Sequence, residues 1–499
     1  MDQKVYDRLT RACDIVLKRF SENYAIIAIS WLHVLNGHPN SLQHYQYGIK
    51  KRGYFSMLCF TIYNIGYIFY KLFKSVLESR TTHTNFSSNV DILFISHLVN
   101  TDVNKDNSDF YFGELPIHAE LEKGYSCVIG LIDHTSIPKT KFNKNQIAQN
   151  NPSRYLFGKT LLIKEELKLI RLCFSSFFRL FAAARIEKDL DSKLVLSEAA
   201  FRALSPDTFY TLRIGENIKS LIKKTNPNHL VFTWEGRAWE RLAVFASRNH
   251  LPKIKSIGYQ HTILLPSSHS IKTSFGTDYD PDCILTLGEI TNTILQESQE
   301  FKQTLFQRFG SHRLHLSNTN NFKKLPVTIC LVAPEGIESE SVLLFNFAIE
   351  IAVKNPEMQF VFRTHPVLPF SVLKDKHKQF MLLPSNCFVS DKLSINDDFK
   401  RCNYLLYRGS SVAIYAVING LKPVYFRLND EISIDSLYFL GSWRSVLQQG
   451  DEFEKMILAD EFAGMAQNEK LCDEAQRFCY KYVSTPEEAA FFNILSSKQ

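Results

Sequence analysis

From residue 91 to about residue 426 the chain repeats one pattern, a short apolar run that ends in polar residues followed by a stretch with helical periodicity. A strand that is apolar throughout, rather than at every second residue, is covered on both faces, as a parallel strand lying between helices is. DILFISHLVN, from Asp91, is the first such run and SCVIGLID, ending at Asp133, is the second. The helical stretch ELPIHAELEKG separates them, which is the order of a βαβ unit. NHLVFTWEG, KIKSIGYQHT and DCILTLG continue the series, and Ala238, Trp239, Leu242, Ala243 and Ala246 recur at helical spacing after the first of these. Residues 159–187 predict a long apolar helix in the core or between domains. A polar bridge, SNTNNFKK, leads to PVTICLVAPEG and a second series: helix over 338–354, strand over 359–363, strand over 403–407, helix over 411–419, strand over 423–426, and helices over 451–497. The expectation is an α/β protein of two Rossmann-like domains with an N-terminal helical extension. The helical region covers 1–88, ending in the linker-like run RTTHTNFSSN; the first domain covers 89–320 and the second 321–499. Ligands of such domains lie at the carboxyl ends of the strands, here in a cleft between the two.

At 499 residues the chain is long enough for two cores and an appendage. With 45% hydrophobic residues and 39 Phe, its composition excludes wholesale disorder. A net charge of +7 is mild for this size, whereas a nucleic-acid binder concentrates Lys and Arg on one face, so no nucleic-acid partner is expected. Ten cysteines without a CxxC pair fit buried, reduced thiols in the cytoplasm. The opening MDQKVYDRL is too polar for a secretory signal, which places the expected location in the cytoplasm or at the inner face of the inner membrane. The uncharged run over 54–70, YFSMLCFTIYNIGYIFY, follows Lys50, Lys51 and Arg52, falls short of the usual ~20-residue span, and carries Asn64 and Gly66. It reads as a helix packed on the first domain or lying on a membrane surface rather than crossing it.

The chain lacks GxxxxGKS/T, GxGxxG, HExxH and GxSxG, which removes the usual support for P-loop, dinucleotide, zincin and hydrolase chemistry. The chemistry-bearing residues stand instead at predicted strand ends. Arg363, Thr364, His365 and Pro366 close one strand, where the proline stops further ladder pairing and holds His365 at the carboxyl end. Arg408, Gly409, Ser410 and Ser411 lie between a strand and a helix, where hydroxyls and free backbone N–H groups suit an anion. Trp234, Glu235 and Gly236 end a strand of the first domain, where Glu235 is a candidate general base or, equally, the partner of Arg237 or Arg241. His261 after Gln260 is the competing base. Glu335 and Gly336 open the second domain at a strand-to-helix turn, and Ser96 with His97 occupies the matching turn of the first. Glu240 and Arg241 read as a solvated or paired helix face. The triplets Asp189-Leu190-Asp191 and Asp278-Tyr279-Asp280 are placed at the end of a helix and before a strand, away from a cleft, so no metal site and no cofactor are expected.

The pairing of FRTHP with RGSSVAIYAVINGLKPVYF, in this order and spacing, resembles bacterial surface-polysaccharide glycosyltransferases: sialyltransferases, Kdo transferases, capsule polymerases and glycerophosphate transferases that share a His-Pro and a Ser-Ser motif on a GT-B scaffold. DILFISHL, FGELPIHAELEKGYSCVIGL, WEGRAWER and YQHT look like a surface-carbohydrate branch of that group, and the likeness spans about residues 91–430. The resemblance implies a metal-independent transferase whose donor is a nucleotide sugar, a CMP-linked Kdo or nonulosonate. Its phosphate would be held by His365, Ser410 and Ser411, with Arg363, Glu335 and Gly336 beside it. It also implies a saccharide or lipid-linked acceptor and, by the sialyltransferase pattern, Glu235 as base, although Trp234 stands where that pattern has its first acid. A glycerophosphate or other sugar-nucleotide transferase, and a non-catalytic membrane-associated assembly factor, are the alternative readings.

Overall fold

The computed structural model describes residues 1–78, 89–99, 108–134, 152–312, 314, 322, 325–392 and 394–496. The expected linker over 80–88, the Asn-rich loop after residue 134 and most of the polar bridge over 317–324 lie outside the described residues. Contacts divide the chain into two units, one of residues 1–261, 268–313 and 486–499 and the other of 262–267 and 314–485.

The first unit is built on a seven-stranded parallel sheet: β1 (Ile92–Leu98), β2 (Cys127–Asp133), β3 (Ser153–Leu156), β4 (His229–Thr233), β5 (Lys255–Tyr259), β6 (Cys283–Thr286) and β7 (Leu305–Arg308). Their order across the sheet is β3-β2-β1-β4-β5-β6-β7. The second unit carries β8 (Ile329–Val332), β9 (Gln359–Phe362), β10 (Cys387–Val389), β11 (Tyr404–Tyr407), β12 (Lys422–Phe426) and β13 (Ser445–Leu447), in the order β10-β9-β8-β11-β12-β13. Both sheets are doubly wound, with chain order reversing between β1 and β4 in one and between β8 and β11 in the other. At such a reversal neighbouring strand-end loops turn to opposite faces and leave a crevice between them, the place where ligands of open α/β sheets bind.

The central strands are buried because their sequences are apolar on both sides: β1 shows six buried residues of seven and β11 is buried throughout. The helices that cover them begin at good caps. Asp189 Oδ2 accepts from the amide of Ser192 (2.8 Å), and Ser205 is the N-cap of Pro206–Thr225, which Asn226 ends in a left-handed conformation. Asp189 therefore starts a helix rather than ending one, and Asp191 pairs with Arg8 (2.5 Å). The second triplet is structural as well, since Asp280 accepts from the fully buried Arg241 at 2.7 Å. Of the solvated or paired face expected for Glu240 and Arg241, the solvated alternative is overturned, since both are buried, and Arg241 is paired with Asp280. Both charges are buried because partners distant along the chain or across the helix start meet them: Glu240 accepts from the amides of Glu235 and Arg237, and Arg241 donates to Asp280 and to the Ser270 and Thr273 carbonyls.

The N-terminal helices share the first unit with the seven-stranded sheet. Asp2 caps Gln3–Arg19, and Tyr6, Leu9, Cys13, Val16 and Leu17 of that helix are buried. Arg52, just before the helix Tyr54–Glu78, forms a buried ion pair with Glu198 of Leu190–Arg202, and Arg213 pairs likewise with Glu166 at 2.8 Å. The last helix, Glu488–Ser496, does not stay with the second sheet. Its Phe491 is fully buried, 6.4 Å ring to ring from Phe94 of β1, and Lys255 of β5 donates to its Ile494 carbonyl at 2.8 Å.

All ten cysteines are free, and all but Cys59 are buried.

Candidate functional site

Three strand-end loops meet at the reversal point of the second sheet. β8 ends at Val332 and leads through Glu335 and Gly336 into the helix Glu338–Lys354; β9 leads into Arg363 and His365; β11 leads into Arg408, Gly409, Ser410 and Ser411. Since β8 lies between β9 and β11, its loop is the bridge between the other two. It packs closely against both. A Cβ placed on Gly336 would lie 2.8 Å from His365 Nδ1 and 2.6 Å from a Val367 methyl, and one placed on Gly409 would lie 2.7 Å from Glu335 Oε1. Gly409 also has φ +62°, a conformation that L side chains resist. The His-Pro and Gly-Ser-Ser segments are thus joined through Glu335-Gly336 into one continuous edge.

The edge is held from below by Arg408, a fully buried side chain. Its Nε donates to Glu340 (2.8 Å), Nη1 and Nη2 donate to the two oxygens of Glu431 (2.8 Å each), and Nη1 also reaches the Phe426 carbonyl at 3.0 Å. Glu340 belongs to the helix after β8 and Phe426 ends β12, so one guanidinium fixes β11 between its neighbours. Ser436 Oγ donates to the Ser410 carbonyl (2.9 Å), and Ser410 Oγ accepts from the amide of Val412 at 3.3 Å. Ser411 is the N-cap of the helix Val412–Ile418 and is exposed, while Ser410 takes the first helical amide. His365 is exposed too, and its Nδ1 accepts from the Val367 amide at 3.3 Å. That bond leaves the proton of the neutral ring on Nε2, so the imidazole presents a donor. Arg363 is engaged within its own domain: Nη1 donates to the buried Asp398 (2.8 Å) and to the Lys392 carbonyl (2.7 Å). A Gly336→Ala substitution is expected to displace His365 and Val367 at a cost of about 1–3 kcal/mol, the range for a methyl added to a packed contact; denaturant unfolding of the variant checks it.

The reversal point of the first sheet carries a second cluster. His97, at the end of β1, places Nδ1 2.7 Å from Nε2 of His134, the residue after β2, and Nε2 3.2 Å from Thr233 Oγ1 at the end of β4. The His97 ring lies edge-on to Trp239 at 5.2 Å and to Tyr111 at 5.3 Å, and Tyr111 meets His261 at 4.5 Å. Burial is the first cause that drives the His97 pKa down to about 3, reinforced by His134, His261 and Arg237, so this imidazole is neutral at physiological pH. Burial lowers His134 as well. Glu235 forms an ion pair with Arg237, the partnership weighed against a role as base. Gly236, at φ +77°, lets the Ser270 carbonyl approach to 2.3 Å of where a Cβ would stand. Neither Tyr111 nor His134 was singled out by the sequence, although His134 directly follows the apolar run SCVIGLID and so stands at a strand end.

Behind this cluster Glu240 is fully buried, with Oε2 accepting from the amides of Glu235 and Arg237 at 2.8 Å each. Burial, and then the Glu235 charge, raise its pKa to about 8. A carboxyl whose folded pKa exceeds its unfolded value contributes stability that is complete below the unfolded value, about 4.5, and is lost as pH rises through about 8. Unfolding free energy measured against pH is expected to decline over that window, and Glu240→Gln is expected to flatten the decline.

Among the described residues no group of three His, Cys, Asp or Glu side chains is placed to hold a metal ion.

No protein-family model matches the chain, and no curated protein matches it. Among solved structures, the chain is similar to the glycotransferase of kitacinnamycin, with 11% identity and a TM-score of 0.48 over 82% of this chain and 100% of that one. It is also similar to CalG4, the calicheamicin glycosyltransferase, with 12% identity and a TM-score of 0.47 over 82% and 98%. The UDP-GlcNAc 2-epimerase from Neisseria meningitidis bound to UDP-GlcNAc gives 10% identity and a TM-score of 0.43 over 81% and 99%.

Proposed function

We propose that the protein is a glycosyltransferase that takes a sugar from a nucleotide donor and passes it to a saccharide or lipid-linked acceptor. The observation that supports this reading is the continuous edge at the reversal point of the second sheet, along which His365, Gly336, Gly409, Ser410 and Ser411 lie. A nucleotide phosphate fits this edge in chemistry: a donor imidazole on one side and two hydroxyls on the other. As the glycosidic bond breaks, negative charge gathers on the departing phosphate, and donors already aimed at it lower the barrier without reorganising. The sequence resemblance narrows the donor to a CMP-linked acidic sugar, Kdo or a nonulosonate, and the product to a surface polysaccharide.

The acceptor hydroxyl must lose a proton. On the first domain the groups suited to take it are Glu235, His261 and the neutral His97–His134 pair. Glu235 is already engaged in an ion pair with Arg237, and burial drives the His97 pKa down to about 3, which makes that imidazole a weak base.

Calorimetry of the purified chain with CMP, CDP, UDP and GDP tests the reading directly. Binding of one nucleotide, abolished in Ser410→Ala/Ser411→Ala, supports a donor seat on the second domain, and its base identifies the donor class. If no nucleotide binds, the transferase reading fails and the non-catalytic assembly factor takes its place. Binding followed by interconversion of a sugar nucleotide without an acceptor would instead show an epimerase, and transfer from a CDP-linked glycerol would show a glycerophosphotransferase.

A further inference from the structure

The helix Tyr54–Glu78 is mounted with its apolar side outward. Phe55, Leu58, Ile62, Phe69 and Phe73 recur at steps of three, four and seven residues, and with Cys59, Tyr63 and Tyr70 they cover roughly 140° of the helix at ~100° per residue. All of them are exposed, Phe55 at 80%, Phe69 at 65% and Phe73 at 64%. The opposite side, against the protein, carries Asn64, Ile68 and Ser75, each buried. Ser75 Oγ donates to the Leu161 carbonyl (2.6 Å), and Ile68 packs with Leu169 and Cys173. The Asn64 amide is fully buried with no hydrogen-bond partner among the described residues. In water this is the wrong way round, because turning the helix by half a revolution would hydrate the amide and cover the phenylalanines. The orientation is favourable only if something apolar covers the outer side. Next to the helix end, Leu162 and Ile163 extend the apolar surface.

The charge around this face selects the cover. Lys50 and Lys51 precede the helix, Lys74 borders the face in its last third, and the one acid of the helix is its last residue, Glu78. An apolar helical face rich in Phe and Tyr, fringed by lysine and free of acid, matches the acyl boundary and anionic headgroups of a bilayer. No helix among the described residues is long and apolar enough to cross a membrane. We infer that residues 54–73 lie flat in the surface of an anionic lipid bilayer and dock the protein there, the phenylalanines entering the acyl boundary and the lysines meeting the headgroups. The inference does not depend on the proposed sugar transfer and is tested without a nucleotide.

The measurement uses the full chain and vesicles of phosphatidylcholine, with or without phosphatidylglycerol, separated by flotation. The wild-type chain is expected to float with the phosphatidylglycerol vesicles, and the combined Phe55→Ser, Phe69→Ser, Phe73→Ser variant to lose partitioning by about tenfold or more. Lys50→Glu with Lys51→Glu is expected to abolish the preference for the anionic vesicles. Because Cys59 is the one exposed cysteine and lies on this face, an environment-sensitive fluorophore on it reads insertion in a chain with native apolar residues, as a blue shift on adding vesicles. The inference is overturned if the wild-type chain remains with the aqueous fraction, if the serine variant floats as well as wild type, or if the label reports no change. It is equally overturned if the wild-type chain is a dimer in lipid-free buffer and the serine variant a monomer, since a second copy then covers the face.

Discussion

Replacing His365 with alanine is expected to lower sugar transfer about 10²-fold or more, the usual cost of removing one preset donor to developing charge. The loss should fall on turnover more than on donor affinity, because a group that meets charge present only in the transition state contributes little to the ground state. His365 is exposed and accepts from the Val367 amide two residues on, so the fold should survive the change. Steady-state kinetics with the donor identified by calorimetry, alongside thermal unfolding, decides the matter. Near-normal turnover in a folded His365→Ala variant would remove the imidazole from the mechanism. His365→Gln, which keeps a donor of similar reach, is expected to recover part of the loss.

Arg408→Met is expected to destabilise the second domain by about 3–5 kcal/mol, the range for breaking a buried ion pair from one side. Methionine matches much of the arginine volume but leaves Glu340 and Glu431, each under one-tenth exposed, without their shared cation. The two carboxylates then face one another in a low-dielectric interior, and the Phe426 carbonyl loses its donor. Denaturant unfolding followed by a probe in the second domain reads the effect. An unfolding midpoint within error of wild type would show that the network is solvated enough to do without its centre. Because the same guanidinium positions the Gly409-Ser410-Ser411 loop, nucleotide binding should weaken in parallel.

Most of the fold was legible from the sequence, and the omissions share one cause. The runs read as strands contain or overlap β1, β2, β4, β5, β6, β8, β9, β11 and β12, with bounds that differ by up to four residues where a run included its loop. The four strands that went unread are β3, β7, β10 and β13, which are the two edges of each sheet. Their sequences, SRYL, LFQR, CFV and SVL, are partly exposed, so they lack the continuous apolarity that marks a strand covered on both faces. Edge strands exist because an inner strand offers them hydrogen bonds, and that offer is not written in their own residues. The helices Leu190–Arg202 and Pro206–Thr225 carry clear caps at Asp189 and Ser205, a signal that was present and not used.

The site divides in the same way. The strand-end placement of the candidates His365, Ser410 and Ser411 was legible because each follows an apolar run, and strand ends are where open α/β sheets bind ligands. That Glu335-Gly336 forms the bridge between them follows only from strand order, since sequence cannot say that β8 lies between β9 and β11. The partnerships of charged residues were likewise hidden. Arg363 turns to Asp398, thirty-five residues on, Arg408 to Glu340 and Glu431, and Arg241 to Asp280. Apolar periodicity is a local quantity, summed over neighbours in the chain, and it determined the class of fold, the positions of the inner strands and the candidate loops. Ion pairs, edge strands, the inverted face of Tyr54–Glu78 and the meeting of three loops depend on which distant segments come to lie side by side. Those were decided only by the tertiary structure, because the free energy of a buried charge or an unpaired strand edge is set by the partner it finds and not by the residues next to it.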